Sequence, residues 1–185
     1  GYPTKVYYLA GTTGYTTPTW MDRPCEPFNG VNITFDANGG IGGVGATFMI
    51  PGLTLSALTI TKTGYTYASW SPAVPSTVPA ENTTYTAQWT ARTFAVTFNS
   101  QSGTVTPTFS TVTYDSAYGA GTGGFPRPVR SGYTFGGWFT STNGAGTQIF
   151  STTIAARTSS QTLYAKWAVN QYTITFDAQG GAGGT

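Results

Sequence analysis

"TGYTYASWSP" at residues 63–72 and "SGYTFGGWFT" at residues 131–140 write Gly-Tyr-Thr-aromatic-x-x-Trp twice in one chain, with little charge near either copy. A motif repeated in this way is either a binding site used twice or a structural unit built twice. The flanking residues decide between the two. Upstream, "VNITFDANGG" at 31–40 is matched by "FAVTFNSQSG" at 94–103 and by "QYTITFDAQGG" at 171–181. Downstream, "TYTAQW" at 84–89 is matched by "TLYAKW" at 162–167. The order is the same each time: a strand-like start, GYT…W, and a closing A-x-W. Internal self-similarity of this kind marks a repeat architecture.

Nine residues lead from Trp89 to Phe98 and nine from Trp167 to Phe176, so the passage between units has a fixed length. Inside the units the intervals vary. Phe35 to Trp70 spans 35 residues against 40 for Phe98 to Trp138, and Trp70 to Trp89 spans 19 against 29 for Trp138 to Trp167. Fixed anchors with variable intervals are what loops on a common scaffold produce. Unit one is therefore expected over 31–91 and unit two over 93–169. Residues 171–185 read as the first strand of a truncated third unit, and residues 1–30 as the end of a preceding domain.

Each anchor has the pattern of a strand. Val31, Ile33 and Phe35 alternate with Asn32 and Thr34, the period of a sheet with one buried face. Phe94, Val96 and Phe98 repeat it, as do Tyr172, Ile174 and Phe176. Each run ends in "DANGG", "NSQSG" or "DAQGG", where Asn and Gly supply positive φ at little cost. Tyr85, Ala87 and Trp89 share a face. In the GYT segment Tyr133, Phe135 and Gly137 share one parity and Trp138 has the other, which predicts a strand with an aromatic on both faces, central or crossed by a loop. Helix signals are confined to one short turn at 78–83 or 115–120. The predicted class is mainly β, with α+β as the alternative, in small tandem units.

Composition agrees. Of the 185 residues 15% are aromatic and only 8% charged, with 25 Gly and 11 Pro. The Gly and Pro suit turns, and the β-branched and aromatic residues suit pleated, half-buried surfaces. Eight Lys and Arg against six Asp and Glu leave a net charge of +2 without a run. A nucleic-acid binder needs a basic stripe, since phosphate neutralisation dominates its affinity, and none is present. No apolar run of about 18 residues exists to insert into a membrane. Cys25 is the sole cysteine and His is absent, which excludes an internal disulfide and the usual base for a thiol nucleophile.

On these residues, "ITFDANGG…TGYTYASW…YTAQW" and "VTFNSQSG…SGYTFGGWFTSTNGAGTQI…LYAKW" resemble the internalin-type B-repeat, also called the Listeria–Bacteroides repeat, over about 31–185. The resemblance implies β-grasp-like (ubiquitin-like) modules strung in tandem on secreted and cell-surface bacterial proteins, serving as spacer and adhesion architecture. Unit one departs from the pattern, with "SPAVPSTVPAENTT" where unit two has "GGWFTSTNGAGT". Residues 5–29, "KVYYLAGTTGYTTPTWMDRPCEPFN", resemble the closing segment of a BspA-type surface leucine-rich repeat array, which implies a solenoid packed on Tyr7 and Leu9. The Gly14-Tyr15 to Trp20 spacing also fits a degenerate repeat end.

Candidate sites follow from the same repetition. Phe35, Trp70 and Trp89 are expected to form the core of unit one, and Phe98, Trp138 and Trp167 that of unit two, because each small module must bury its own aromatics. Aromatics present in one unit only, Phe139, Phe150 and Tyr118, are the candidates for ligand contact. Asp36 and Asp177 read as Asx turns: Asn99 takes their place in unit two, and a calcium loop needs several oxygen ligands. "GAGTGG" at 119–124 lacks the Lys of a phosphate loop. Asp22, Glu26, Asp36, Glu81, Asp115 and Asp177 form no repeated pair, so no catalytic residue and no cofactor or metal is expected. Asn32 and Asn82 head N-x-[ST] triplets.

The expected role is a non-catalytic extracellular repeat that spaces and presents parts of a bacterial surface protein, with its neighbouring repeats as partners. The alternative is a module binding cell-surface glycan or a host protein through 139–150. A third expectation is self-association, with strand 171–177 adding to a neighbouring chain's sheet.

Overall fold

The computed structural model describes residues 6–9, 19–20, 23–177 and 179–181. It divides into two units between Ala91 and Arg92. The first opens with three short strands, β1 (Val6–Leu9), β2 (Thr19–Trp20) and β3 (Arg23–Phe28). In their own sheet β3 lies between the others, parallel to β1 and antiparallel to β2. The side chains of Tyr7, Leu9 and Cys25, and the Gly14-Tyr15 pair, lie outside the described residues.

The first repeat follows as β4 (Val31–Asp36), β5 (Val44–Met49), β6 (Tyr65–Ser71) and β7 (Thr83–Ala91). Their order in the sheet is β5-β4-β7-β6. The first and last strands, β4 and β7, lie side by side and parallel, in register from Ile33 opposite Thr83 to Asp36 opposite Thr86. A parallel pair needs a long crossover, and the irregular passages of that crossover supply Leu55, Ile60 and Val78 to the core. These close over Val31, Ile33 and Phe35 of β4 and Tyr85 and Ala87 of β7.

Unit two repeats the plan with β8 (Thr93–Asn99), β9 (Phe109–Thr113), β10 (Tyr133–Phe139), β11 (Gln148–Ile149) and β12 (Gln161–Val169). The order is β11-β10-β12-β8-β9, with β8 and β12 parallel. The extra strand β11 comes from the longer loop of this unit. Phe94, Val96 and Phe98 face Leu163 and Ala165, Val105 and Ala155 reach the core from irregular segments, and Tyr118 from a short helical turn. Burying an aromatic or aliphatic side chain of this size contributes about 1.5–3 kcal/mol. The chain is mainly β; the helical elements among the described residues are two 3-10 turns, Tyr118–Ala120 and Thr142–Gly144. The first falls within 115–120, while 78–83 holds none.

Simple parity fails in the GYT strands. Pairing jumps between Phe135 and Gly137 in β10 and between Tyr67 and Ser69 in β6, leaving one extra residue in each strand. Such a bulge switches the side to which later residues point. Phe135 and Trp138 therefore meet, with ring centroids 5.4 Å apart, instead of occupying opposite faces. Tyr67 and Trp70 do the same at 6.0 Å. Of the two expectations, a central strand fails for β6, which lies at a sheet edge, while β10 stands between β12 and the two-residue β11.

Residues 171–177, expected as a strand alternating like β4 and β8, form no strand and pair with none of the described strands. Tyr172, Ile174 and Phe176 are 78%, 76% and 88% exposed. A lone strand has no ladder to stabilise it.

Candidate functional site

The three turns that follow the first-strand motif share one geometry. The Asp36 carboxylate accepts the Asn38 backbone N–H at 2.8 Å, the Asn99 amide oxygen accepts that of Gln101 at 3.0 Å, and Asp177 accepts that of Gln179 at 2.9 Å. Asn38-Gly39, Gln101-Ser102 and Gln179-Gly180 are all left-handed pairs. An Asx turn needs one short side-chain acceptor, which Asp and Asn supply equally. Among the described residues no three of His, Cys, Asp and Glu come together.

In each complete unit the closing Trp locks this turn. The Trp89 indole N–H donates to the Ala37 carbonyl at 2.9 Å, and Trp167 to the Ser100 carbonyl at 2.8 Å. A glycine lies beneath each ring: a Cβ on Gly40 or Gly103 would stand 2.6 Å from the indole. The aromatics then run in one chain, Phe35–Trp70–Tyr67–Trp89 in unit one and Phe98–Trp138–Phe135–Trp167 in unit two. Phe35, Trp70, Phe98 and Trp138 are buried, while Trp89 and Trp167 are half-buried at the margin. Tyr67 and Phe135 are members that the sequence reading left out, although the motif itself contains them.

A cation completes the arrangement. Lys62 donates to the Asn38 carbonyl at 3.1 Å with its ammonium 4.6 Å from the Tyr65 ring centre. Arg130 donates to the Gln101 carbonyl at 3.3 Å with its guanidinium 3.8 Å over Tyr133. Both stand two residues before the Gly-Tyr, as "KTGY" and "RSGY", a signal present in the sequence but hidden by the Lys/Arg exchange.

Beside Arg130, unit two has a cleft of about 340 Å³ lined by Gln101, Ser102, Tyr133, Asn143, Lys166 and Trp167. No carboxylate lines it. Charge is uneven between the units: residues 92–185 hold five Arg and Lys against two Asp, residues 1–91 three against four acids.

The three residues singled out for ligand contact part company here. Tyr118 is 3% exposed and Phe139 is 8% exposed, so both are packed inside and neither offers a face to a ligand. Tyr118 sits against Phe94 and Phe125, filling core space that the loops enclose. Phe150 is 55% exposed and borders a shallow groove with Phe125, Arg127, Phe135 and Gln148. Burial raises the Tyr118 phenol above its ordinary pKa, opposed by the Gln161 amide, which donates to its oxygen at 2.6 Å, and by the charge of Arg157. Burial alone raises Tyr85.

Residues 32–90 and 94–166 each match the Listeria-Bacteroides repeat domain family. A protein named as a Gly-rich membrane protein in Evansella cellulosilytica is 33% identical over 126 residues, covering 64% of this chain. The chain spans 14% of that relative's length. No helix among the described residues is long and apolar enough to cross a membrane.

Proposed function

This chain belongs to the Listeria-Bacteroides repeat domain family, and we propose that it is a non-catalytic, extracellular repeat region that spaces and presents other parts of a bacterial surface protein. The observation that carries this is the pairing of first and last strands. Because β4 and β7 are parallel, as are β8 and β12, the chain enters each unit at one end of its sheet and leaves at the other. At about 3.3 Å of rise per residue, entry and exit stand roughly 30 Å apart. A unit so connected adds length at every copy. One residue, Arg92, joins β7 to β8, which suits a regular array.

The repeated aromatics support the same role, since they are spent on each unit's own core and turn. Residues 171–185 are then the start of a further unit, with Tyr172, Ile174 and Phe176 in the places of the buried residues of β4 and β8.

Sedimentation velocity on residues 1–185 beside residues 1–169 tests the proposal. A spacer sediments as a monomer in both forms over a wide concentration range. Assembly by the longer chain alone would instead make 171–177 a connector between chains, and the role would be fibre formation.

A further inference from the structure

We propose that the cleft between Arg130 and Lys166 in unit two binds an acidic saccharide, with its carboxylate or phosphate between the two cations and its hydroxyls on Gln101, Ser102 and Asn143.

Arg130 is held in place before any ligand arrives, and Lys166, although exposed, has its stem packed. Arg130 has its guanidinium 3.8 Å over the Tyr133 ring centre and spends one hydrogen bond on the Gln101 carbonyl, leaving most of its five donors unused. Lys166 runs its stem over two glycines: a Cβ on Gly144 would stand 2.5 Å from its Cδ, and one on Gly136 3.5 Å from its Cγ. Its ammonium rests 5.5 Å from the Phe139 ring centre. It makes no hydrogen bond to another described residue. Two cations lining one recess without a carboxylate among its lining residues make its potential positive and attract an anion.

The remaining lining selects the kind of anion. The amides of Gln101 and Asn143, the Ser102 hydroxyl and the Tyr133 phenol provide directional donors and acceptors beside the edge of Trp167, whose own N–H is spent on the turn. A recess of about 340 Å³ is at the small end of ligand pockets, which run to about 1,000 Å³. It is bounded by the left-handed turns at Gln101-Ser102 and Asn143-Gly144. That shape fits a compact sugar, whereas an extended peptide uses a long groove or a sheet edge. Unit one supplies an internal comparison: it keeps the clasp through Lys62 but has Gln88 where unit two has Lys166, and it lacks the turn at 142–144.

The test is calorimetric titration of the whole chain with digalacturonate, galactose 6-phosphate, neutral galactobiose and inorganic phosphate. Saturable binding of either sugar anion, with none for galactobiose, is expected, and the tighter of the two identifies the acidic group. Lys166→Gln should weaken it by at least about tenfold. Arg130→Lys, which copies unit one, should weaken it by about threefold because one ammonium replaces a fork of donors. Both variants should keep the parent melting temperature. Failure of both sugar anions to bind, equal binding of galactobiose or inorganic phosphate, or unchanged affinity in Lys166→Gln would each overturn the proposal.

Discussion

The Trp138 indole N–H donates to the Pro126 carbonyl at 2.8 Å, whereas the equivalent Trp70 is buried with its N–H unpartnered among the described residues. The two tryptophans fill the same place against Phe98 and Phe35. Trp138→Phe deletes a bond and strands an acceptor; Trp70→Phe removes a donor that was already unsatisfied. The first should therefore cost about 1–3 kcal/mol more than the second. Urea unfolding of both variants measures the difference, and equal losses would refute it.

Gly40→Ala and Gly103→Ala should each destabilise their own unit by about 1–3 kcal/mol. The added methyl would press on the indole of Trp89 or Trp167 and on a backbone carbonyl 2.7–2.8 Å away. Neither neighbour is the free end of a flexible side chain. Thermal melts should show the loss.

The left-handed site in the turn is glycine in unit one, where Gly39 has φ 78°, and serine in unit two, where Ser102 has φ 69°. A side chain in that conformation costs about 1–2 kcal/mol, partly offset by the lower unfolded-state entropy of a non-glycine residue. Ser102→Gly should therefore raise the stability of unit two by about 0.5–1 kcal/mol. Gly39→Ala should lower that of unit one by a similar amount. A change of the opposite sign in either would count against the turn as described.

The raised phenols of Tyr85 and Tyr118 give an alkaline limit. The unfolded chain ionises its tyrosines near their ordinary value of 10, while these two resist in the folded state. Their contribution is complete below that pH and is lost as pH rises through the folded values. Ultraviolet titration should reveal a late phenolate step, and Tyr118→Phe and Tyr85→Phe should together remove it. A late step that survives both substitutions would contradict the assignment.

Phe139→Ala should cost about 3–5 kcal/mol, as for a core aromatic, while Phe150→Ala should stay within about 1 kcal/mol. Denaturant midpoints of the two variants give the comparison. It separates packing from surface at two positions that the sequence could not tell apart.

What could be read from the chain alone was what burial writes with a period. Val31, Ile33 and Phe35 alternate because β4 has one covered face, and Phe94, Val96 and Phe98 do so for the same reason in β8. The Asx turns were readable because they need a residue type at a fixed step. The bulge was not, since Gly136 and Ala68 carry no mark that distinguishes an inserted residue from a paired one. Arg130 and Gln101 stand 29 residues apart, so their bond exists only once the turn and the GYT strand are brought together. Tyr118 and Phe139 seemed unpaired because the segments that bury them vary in length between the units. Phe150, the third of that set, borders a groove, while the basic cleft drew on Lys166 and Arg130, which net charge alone did not single out.

The parallel seam at the centre of each unit also determines how it answers a pull. Tension applied through the chain acts on β4 and β7, or on β8 and β12, along their length and in opposite directions. The hydrogen bonds of the seam are then sheared together, instead of being unzipped one after another from an end. Rupture under load depends on the barrier to that concerted slip and not on equilibrium stability. A surface protein strung from such units would hold its length under drag until a whole seam failed, then release one unit's worth of chain while the others stayed closed.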